Sequence, residues 1–123
     1  MYTNVAYLHD TLSAIVDESK PLIVTSCGYY RLQNRPLLET HRPFGRADYQ
    51  LVYIAEGKAH FYFDGVERVI SKGNMVLFRP NAPQRYEYYG EEQTEAYWVH
   101  FTGKDVESIL NAHALTNELR VFF

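Results

Sequence analysis

The chain has 123 residues, which is enough for one domain with a single hydrophobic core, and 46% of its residues are hydrophobic. Only 22% are charged and 15% are aromatic, a composition typical of ordered globular chains and not of disordered ones. The formal charge is −3 at pH 7, whereas surfaces that bind nucleic acid carry a clustered excess of Lys and Arg. We therefore expect this chain not to bind DNA by itself.

The compartment is indicated by the cysteine content and by the N-terminus. Cys27 is the only cysteine, so no internal disulfide can form, which favours a reducing compartment. It follows β-branched residues, and we expect it to pack in the core. The chain begins with no basic segment and apolar run of the kind that directs secretion, and it contains no long uncharged apolar stretch. These features predict a cytoplasmic protein without contact with a membrane.

The N-terminal segment has the apolar pattern of a helix. Its apolar residues recur three or four positions apart, at Val5, Leu8, Leu12, Ile15 and Val16. Asn4 precedes them as a candidate cap, and Pro21 follows as a stop. The pattern predicts a short amphipathic helix at the start of the chain.

The remainder of the chain has the alternation of β-strands. Residues 22–27 predict a first strand, and the polar stretch 31–39, broken by Pro36, predicts a loop. From Asp48 onwards the pattern predicts six strands, at residues 49–54, 59–63, 66–70, 75–78, 84–89 and 95–101. Asp64-Gly65 predicts a tight hairpin, because both residues tolerate the left-handed dihedrals of a type I′ turn.

A helix is predicted after the last of these strands. Thr102 and Asp105 have the spacing of a helix cap, and Val106, Ile109 and Leu110 supply an apolar face. Residues 119–123 turn apolar again without a polar tail, which predicts that the sequence is the front part of a longer protein. The pattern as a whole predicts a mainly β fold, a cupin or jelly-roll barrel with a short N-terminal helix and a C-terminal helix.

The metal-ligand positions of cupin barrels are occupied here by other residue types. Counting back from Gly57 places Gln50 where metal-binding cupins carry Glu, with no histidine in residues 44–46. Counting on from Gly73 places Gln84 where they carry His. Glutamine amides are poor ligands for transition metals, which favour imidazole, thiolate or carboxylate. The sequence therefore predicts neither a metal nor another cofactor.

The order and spacing of short motifs resemble those of the AraC-type bacterial transcription regulators, in their amino-terminal effector-binding and dimerisation domain. The motifs are Arg42-Pro43, Glu56-Gly57, Lys72-Gly73, Arg79-Pro80, Gln84-Arg85-Tyr86 and residues 98–103. The resemblance covers residues 40–103 well and implies one ligand-binding domain over residues 1–123. It further implies a small-molecule effector, often a mono- or oligosaccharide, and a homodimer in the full-length protein. DNA would be bound only by a carboxyl-terminal helix-turn-helix domain that is absent from residues 1–123.

The resemblance also implies which residues bind the effector. By similarity to members that sense arabinose, Arg42 donates to sugar hydroxyls, Tyr86 forms a hydrogen-bonding wall, and Trp98 is a stacking platform. His41 precedes Arg42 at the expected mouth of the barrel and is a further candidate for binding the effector or a lone metal ion. Each has a structural alternative: a surface role for Arg42 and His41, and barrel packing for the two aromatic residues. The residues beside Trp98 depart from those members, so arabinose itself is not implied.

Three functions remain open from the sequence. The leading one is a regulatory sensor domain without enzymatic activity, whose ligand changes the arrangement of attached DNA-binding units. The second is a cupin-type carbohydrate isomerase or epimerase, in which a metal or a His/Tyr pair moves protons. The third is a dimerisation module whose barrel is filled by side chains.

Overall fold

The fold is built almost entirely from antiparallel strands. In the computed structural model of the protein, residues 2–8, 16–32, 35–115 and 121–122 are described. The elements in chain order are β1 (Tyr2–Leu8), β2 (Ile23–Leu32), β3 (Leu37–Arg42), β4 (Tyr49–Glu56), β5 (Lys58–Phe63), β6 (Val66–Ser71), β7 (Met75–Phe78), β8 (Gln84–Tyr89), a 3₁₀ turn (Gly90–Glu92), β9 (Glu95–Thr102), α1 (Val106–Ala112) and β10 (Val121–Phe122).

Two sheets form the barrel. One has six strands in the order β1-β2-β9-β4-β7-β10, and the other has four in the order β3-β8-β5-β6. The inward faces of both sheets alternate with outward faces along each strand, as the residue-by-residue burial of β4 and β8 shows. This is the cupin-type barrel that the spacing of turn residues predicts.

The predicted N-terminal helix is wrong, because Tyr2–Leu8 is a strand that pairs along its length with β2. Without it, the long β2 would present a free edge of unpaired N–H and C=O groups. Tyr2, Thr3, Val5 and Tyr7 also favour strands. Pairing thus outweighs the helical spacing of the apolar residues. Leu12 and Ile15 of the predicted helix lie outside the described residues.

The strands predicted from residue 48 onwards are confirmed, with ends that shift by no more than two residues. Asp64 and Gly65 have positive φ angles of 53° and 80° and join β5 to β6, as a type I′ hairpin requires. The loop predicted over residues 31–39 is wrong at both ends, because β2 continues to Leu32 and β3 begins at Leu37. Pro36 lies just before β3, where the lack of a backbone N–H removes no hydrogen bond between strands.

The C-terminal helix is confirmed as α1, although its start differs from the predicted cap. Asp105 is the N-cap residue but makes no side-chain hydrogen bond there. The Thr102 hydroxyl instead accepts a hydrogen bond from the Asp17 amide at 3.3 Å. The helix packs Val106 and Leu110 onto the outer face of the six-stranded sheet. Within the described ranges, no helix is long and apolar enough to span a membrane.

The main core fills the barrel with aromatic and branched side chains, with Phe61 fully buried among them. The predicted core position of Cys27 is wrong, because its side chain is only partly buried and lines an apolar surface that includes Tyr29 and Tyr97. At one end of the barrel the inward side chains become polar: Gln50, Gln84 and His100 are buried there. Buried polar groups need hydrogen-bond partners. The candidate ligand-binding site lies at this polar end of the barrel.

Candidate ligand-binding pocket

A pocket opens at the polar end of the barrel, between the two sheets. Its volume is about 200 Å³. Side chains from β2, β3, β4, β8 and β9 line it, among them Ser26, Arg42, Gln50, Tyr86, Trp98 and His100. The site therefore draws on five strands that are far apart in the sequence.

Strand register explains why these residues meet. Across the six-stranded sheet, His100 is directly opposite Ser26 on one side and Gln50 on the other. Across the four-stranded sheet, Arg42 is opposite Gln84. Directly opposed residues point to the same face of a sheet with Cβ atoms about 4.5–5.5 Å apart. Pairing alone thus presents these polar groups to the barrel interior.

Three of the four site residues that the sequence indicates lie together. Arg42, Tyr86 and Trp98 all line the pocket, with Arg42 and Trp98 partly exposed and Tyr86 only 6% exposed. His41 does not line it, because neighbouring residues of a strand point to opposite faces and its side chain is exposed. That any of the four binds a ligand remains a prediction.

Arg42 is held by a neutral partner. One of its guanidinium nitrogens donates to Gln84 Oε1 at 2.8 Å. No ion pair joins Arg42 to a carboxylate within the described part of the chain. The remaining N–H groups of the guanidinium can therefore face the pocket with their full charge.

A second guanidinium at the site is neutralised. Arg46 also lines the pocket, and its Nε lies 2.7 Å from Asp48 Oδ1, with a further contact of 3.2 Å from Nη2 to Oδ2. Asp48 is only 1% exposed, so this bidentate pair is largely shielded from solvent. Arg42 is consequently the uncompensated positive charge of the pocket.

A chain of hydrogen bonds crosses the floor of the pocket. Ser26 Oγ lies 2.8 Å from His100 Nδ1, and His100 Nε2 lies 3.1 Å from Gln50 Oε1. Gln50 Nε2 donates to the Tyr86 hydroxyl at 3.0 Å. Since Gln50 presents its oxygen to His100, the neutral imidazole carries its proton on Nε2, and Ser26 donates to Nδ1. Each member of the chain then donates to the next, and the last acceptor is the Tyr86 hydroxyl.

Burial holds His100 in its neutral form. The pKa of its imidazole is lowered from 6.5 to about 4, mainly by removal from water and also by the nearby Arg46 and Arg42 charges, against an opposing effect of Asp48. At neutral pH the ring is therefore an uncharged member of the hydrogen-bond chain.

Acid should destabilise the fold through His100. Because the folded pKa is about 4 and the ordinary value is 6.5, the unfolded chain binds the proton more readily. The contribution of neutral His100 is complete above about pH 6.5 and is lost as the pH falls towards about 4. A difference of that size corresponds to at most about 3 kcal/mol.

Urea unfolding at a series of pH values measures this effect. We expect His100→Gln to lose the part of the pH dependence that lies between pH 6.5 and 4, whereas His41→Gln, at an exposed position, keeps it. Equal pH dependence of the parent chain and His100→Gln would contradict the assignment.

Two buried donors at this end of the barrel have no partner. The Gln84 amide nitrogen and the Trp98 indole nitrogen are inaccessible to solvent and make no hydrogen bond with any described residue. Arg42 can only donate, so Gln84 must turn its oxygen to Arg42 and leave its nitrogen free. An unsatisfied buried polar group costs about 1–3 kcal/mol, and such groups call for a functional explanation.

The donor set does not fit the metal that cupin barrels commonly hold. Gln50 and Gln84 both belong to this polar end, but their amide oxygens are engaged by His100 and Arg42. The described residues contain no group of three His, Cys, Asp or Glu side chains arranged to ligate an ion. A divalent cation would also meet the unpaired charge of Arg42.

Sequence reasoning missed part of the site. Ser26, Arg46 and His100 were not singled out as site residues, although all three line the pocket. The counts from the two glycines came nearest to these residues, since they led to Gln50, which bonds to His100, and to Gln84, which bonds to Arg42. The roles of Ser26 and His100 depend on long-range strand pairing, which local spacing does not reveal.

Solved structures confirm the fold. The chain is similar to the cupin domain of an XRE family transcriptional regulator from Enterobacter cloacae, with 15% identity, a TM-score of 0.52, and coverage of 82% of this chain and 95% of that one. It is similar to salicylate 1,2-dioxygenase from Pseudaminobacter salicylatoxidans, with 16% identity, a TM-score of 0.52, and coverage of 98% of this chain but 30% of the dioxygenase. For ethanolamine utilization protein Q from Salmonella typhimurium, identity is 9%, the TM-score is 0.50, and coverage is 80% and 68%. These likenesses show the cupin fold alone.

Comparison at the level of sequence identifies the family. No curated protein matches the chain. The family model of the AraC-like ligand binding domain matches residues 26–121, from β2 through β10, and so includes every residue that lines the pocket. The chain therefore belongs to the AraC-like ligand-binding domain family, whose members serve transcription regulators.

Proposed function

We propose that this chain is the effector-sensing domain of a cytoplasmic AraC-type transcription regulator, and that its effector is a sugar bound in the pocket. The observation that carries the proposal is the meeting of Arg42, Tyr86 and Trp98 in one cavity. A guanidinium presents several N–H donors to sugar hydroxyls, and an aromatic face can cover the apolar C–H side of a pyranose. The pocket thus offers both surfaces that a sugar needs.

The size of the pocket favours one sugar ring. Its volume of about 200 Å³ is below the range of about 300–1,000 Å³ that is usual for pockets holding drug-sized ligands. We propose a monosaccharide for this reason.

Regulation requires that the sugar bind one arrangement of the regulator more tightly than another. A ligand shifts an equilibrium only by its difference in affinity for the two states. We propose that the regulator is a homodimer and that DNA is bound by a separate carboxyl-terminal domain. In that arrangement, occupancy of the barrel changes how the two DNA-binding domains are placed, and no chemical reaction is needed.

The pocket supports sensing over catalysis. An isomerase or epimerase needs an acid or base with a pKa near the working pH, whereas the pKa of His100 is lowered to about 4. A purely structural barrel would fill its interior, whereas this one leaves a cavity and two unpartnered buried donors. Both alternatives are therefore weaker than a binding function.

A thermal-shift screen of monosaccharides, neutral and acidic, with a metal chelator present, tests the proposal. A ligand at about 100 times its dissociation constant stabilises the fold by about 2.7 kcal/mol, which corresponds to a shift of several degrees. We expect Arg42→Ala to reduce the shift, because loss of the donor costs about 1–3 kcal/mol, or about five- to hundred-fold in affinity.

The exposed Arg31, which pairs with Glu95 at 3.1 Å, gives the matched control. Arg31→Ala should keep the shift. The sugar assignment fails if no monosaccharide changes the unfolding temperature, or if Arg42→Ala responds to the identified sugar as the parent chain does.

A further inference from the structure

Two of the side chains that line the pocket, a guanidinium and a phenol, carry donors that no described residue accepts. Arg42 has N–H groups beyond the one that Gln84 accepts. The Tyr86 hydroxyl accepts from Gln50, and its own proton has no acceptor among the described residues. Arg42 and Tyr86 therefore both offer hydrogen to a ligand in the pocket, whereas the unpartnered N–H groups of Gln84 and Trp98 are inaccessible to solvent.

The direction of the hydrogen-bond chain explains why Tyr86 is a donor. Ser26, His100 and Gln50 each donate to the next member, so the oxygen of Tyr86 is occupied as an acceptor. The phenolic proton is left as the chain's free end. A neutral His100 maintains this direction, because a protonated ring would have no acceptor nitrogen for Ser26.

The charge of the pocket is positive. Arg46 is neutralised by Asp48, His100 is uncharged at neutral pH, and Arg42 has only an amide as partner. One positive charge therefore remains in a partly buried position. Burying a charge without a counter-charge is costly, and a bound anion removes that cost.

A carboxylate matches Arg42 better than a sugar hydroxyl does. A hydroxyl can accept from the guanidinium, but it is uncharged and must also donate its own hydrogen elsewhere. A carboxylate only accepts, can receive about four hydrogen bonds, and pairs with a guanidinium in a fork of two parallel bonds. Its single negative charge equals the single uncompensated charge of Arg42.

From this donor set and charge we infer that the effector is a sugar acid, such as a uronic acid, whose carboxylate lies against Arg42 and within reach of the Tyr86 hydroxyl. The Trp98 side chain then faces the sugar ring. The inference rests on the proposed function for the sugar part of the ligand. The carboxylate part rests on the pocket itself.

Matched pairs of ligands test the sugar part and the carboxylate part of the inference separately. Isothermal titration calorimetry of the chain with D-galacturonate and D-galactose, and with D-glucuronate and D-glucose, compares sugars that differ mainly in the carboxylate. The methyl esters of the two acids retain the ring but remove the charge. We expect one acid to bind at least tenfold more tightly than both its neutral counterpart and its ester.

Arg42→Gln tests whether Arg42 is the cause. We expect this variant to bind the acid no more tightly than the neutral sugar. Arg31→Gln makes the same substitution at an exposed arginine outside the pocket and should keep the preference. Circular dichroism and the unfolding temperature establish that both variants are folded.

The outcomes distinguish the two ideas. Equal affinity for acid and neutral sugar, or a preference for the acid that survives in Arg42→Gln, would overturn the carboxylate inference and leave sugar sensing in place. If no sugar binds but simple carboxylates such as benzoate bind and depend on Arg42, the sugar assignment fails while the carboxylate site stands. If neither class binds, both are overturned.

Discussion

Phe61→Ala should lower the free energy of unfolding by about 3–5 kcal/mol, the range for removing a large aromatic side chain from a core. Phe61 is 0% exposed, and its ring centroid lies 5.0 Å from that of Tyr86, 6.1 Å from Phe78 and 6.2 Å from Phe63. The substitution would therefore open a cavity in the middle of the barrel. It would also remove the ring that packs against Tyr86 in the pocket.

Urea unfolding curves measure this loss. Val66→Ala is the control, because Val66 lies on the same hairpin but is 68% exposed, and it should change stability by no more than about 0.5 kcal/mol. A loss below about 1 kcal/mol for Phe61→Ala would mean that the aromatic cluster does not hold the two sheets together.

Trp98→Ala should reduce both effector binding and stability. Its indole ring lies 4.7 Å from His100 and 6.5 Å from Tyr30, centroid to centroid, and it forms one wall of the pocket. We expect the affinity for the identified monosaccharide to fall at least tenfold, because the aromatic wall of the pocket is removed. The stability loss should be smaller than that of Phe61→Ala, since Trp98 is only partly buried.

The neighbouring Tyr97 provides a matched control on the opposite face of β9, where it is 46% exposed and lies 5.5 Å from the ring of Tyr29. Tyr97→Ala should leave affinity unchanged in calorimetry. Trp98→Phe, which retains a smaller aromatic ring, should bind with intermediate affinity. If Trp98→Ala binds the sugar as tightly as the parent chain, Trp98 is a core residue and not part of the site.

The sequence predicted the barrel well where local signals and pairing agree. The six later strands alternate cleanly and are separated by residues suited to turns, such as Asp64-Gly65. At the N-terminus the local pattern and the strand pairing disagree. The apolar spacing around Val5 and Leu8 is helical, but pairing with β2 makes this segment a strand. That outcome depends on an edge that only the assembled sheet possesses.

The candidate site could be predicted only in part, for a related reason. Arg42, Tyr86 and Trp98 came from motif resemblance, and all three line the pocket. Ser26 and His100 are separated by 74 positions and become partners only through the register of β2 with β9. The spacing of residues along the sequence does not reveal which residues of β2 and β9 are paired. The hydrogen-bond chain and its direction can therefore be read only from the structure.

The central claim is that the effector occupies the interior pocket, and the fluorescence of Trp98 tests it most directly. Trp98 is the only tryptophan in the chain, so the tryptophan emission reports on one wall of the pocket. We expect the identified sugar to change this emission saturably, with the same dissociation constant that calorimetry gives. A sugar that binds in calorimetry but leaves the emission of Trp98 unchanged would place the binding site elsewhere and contradict the account.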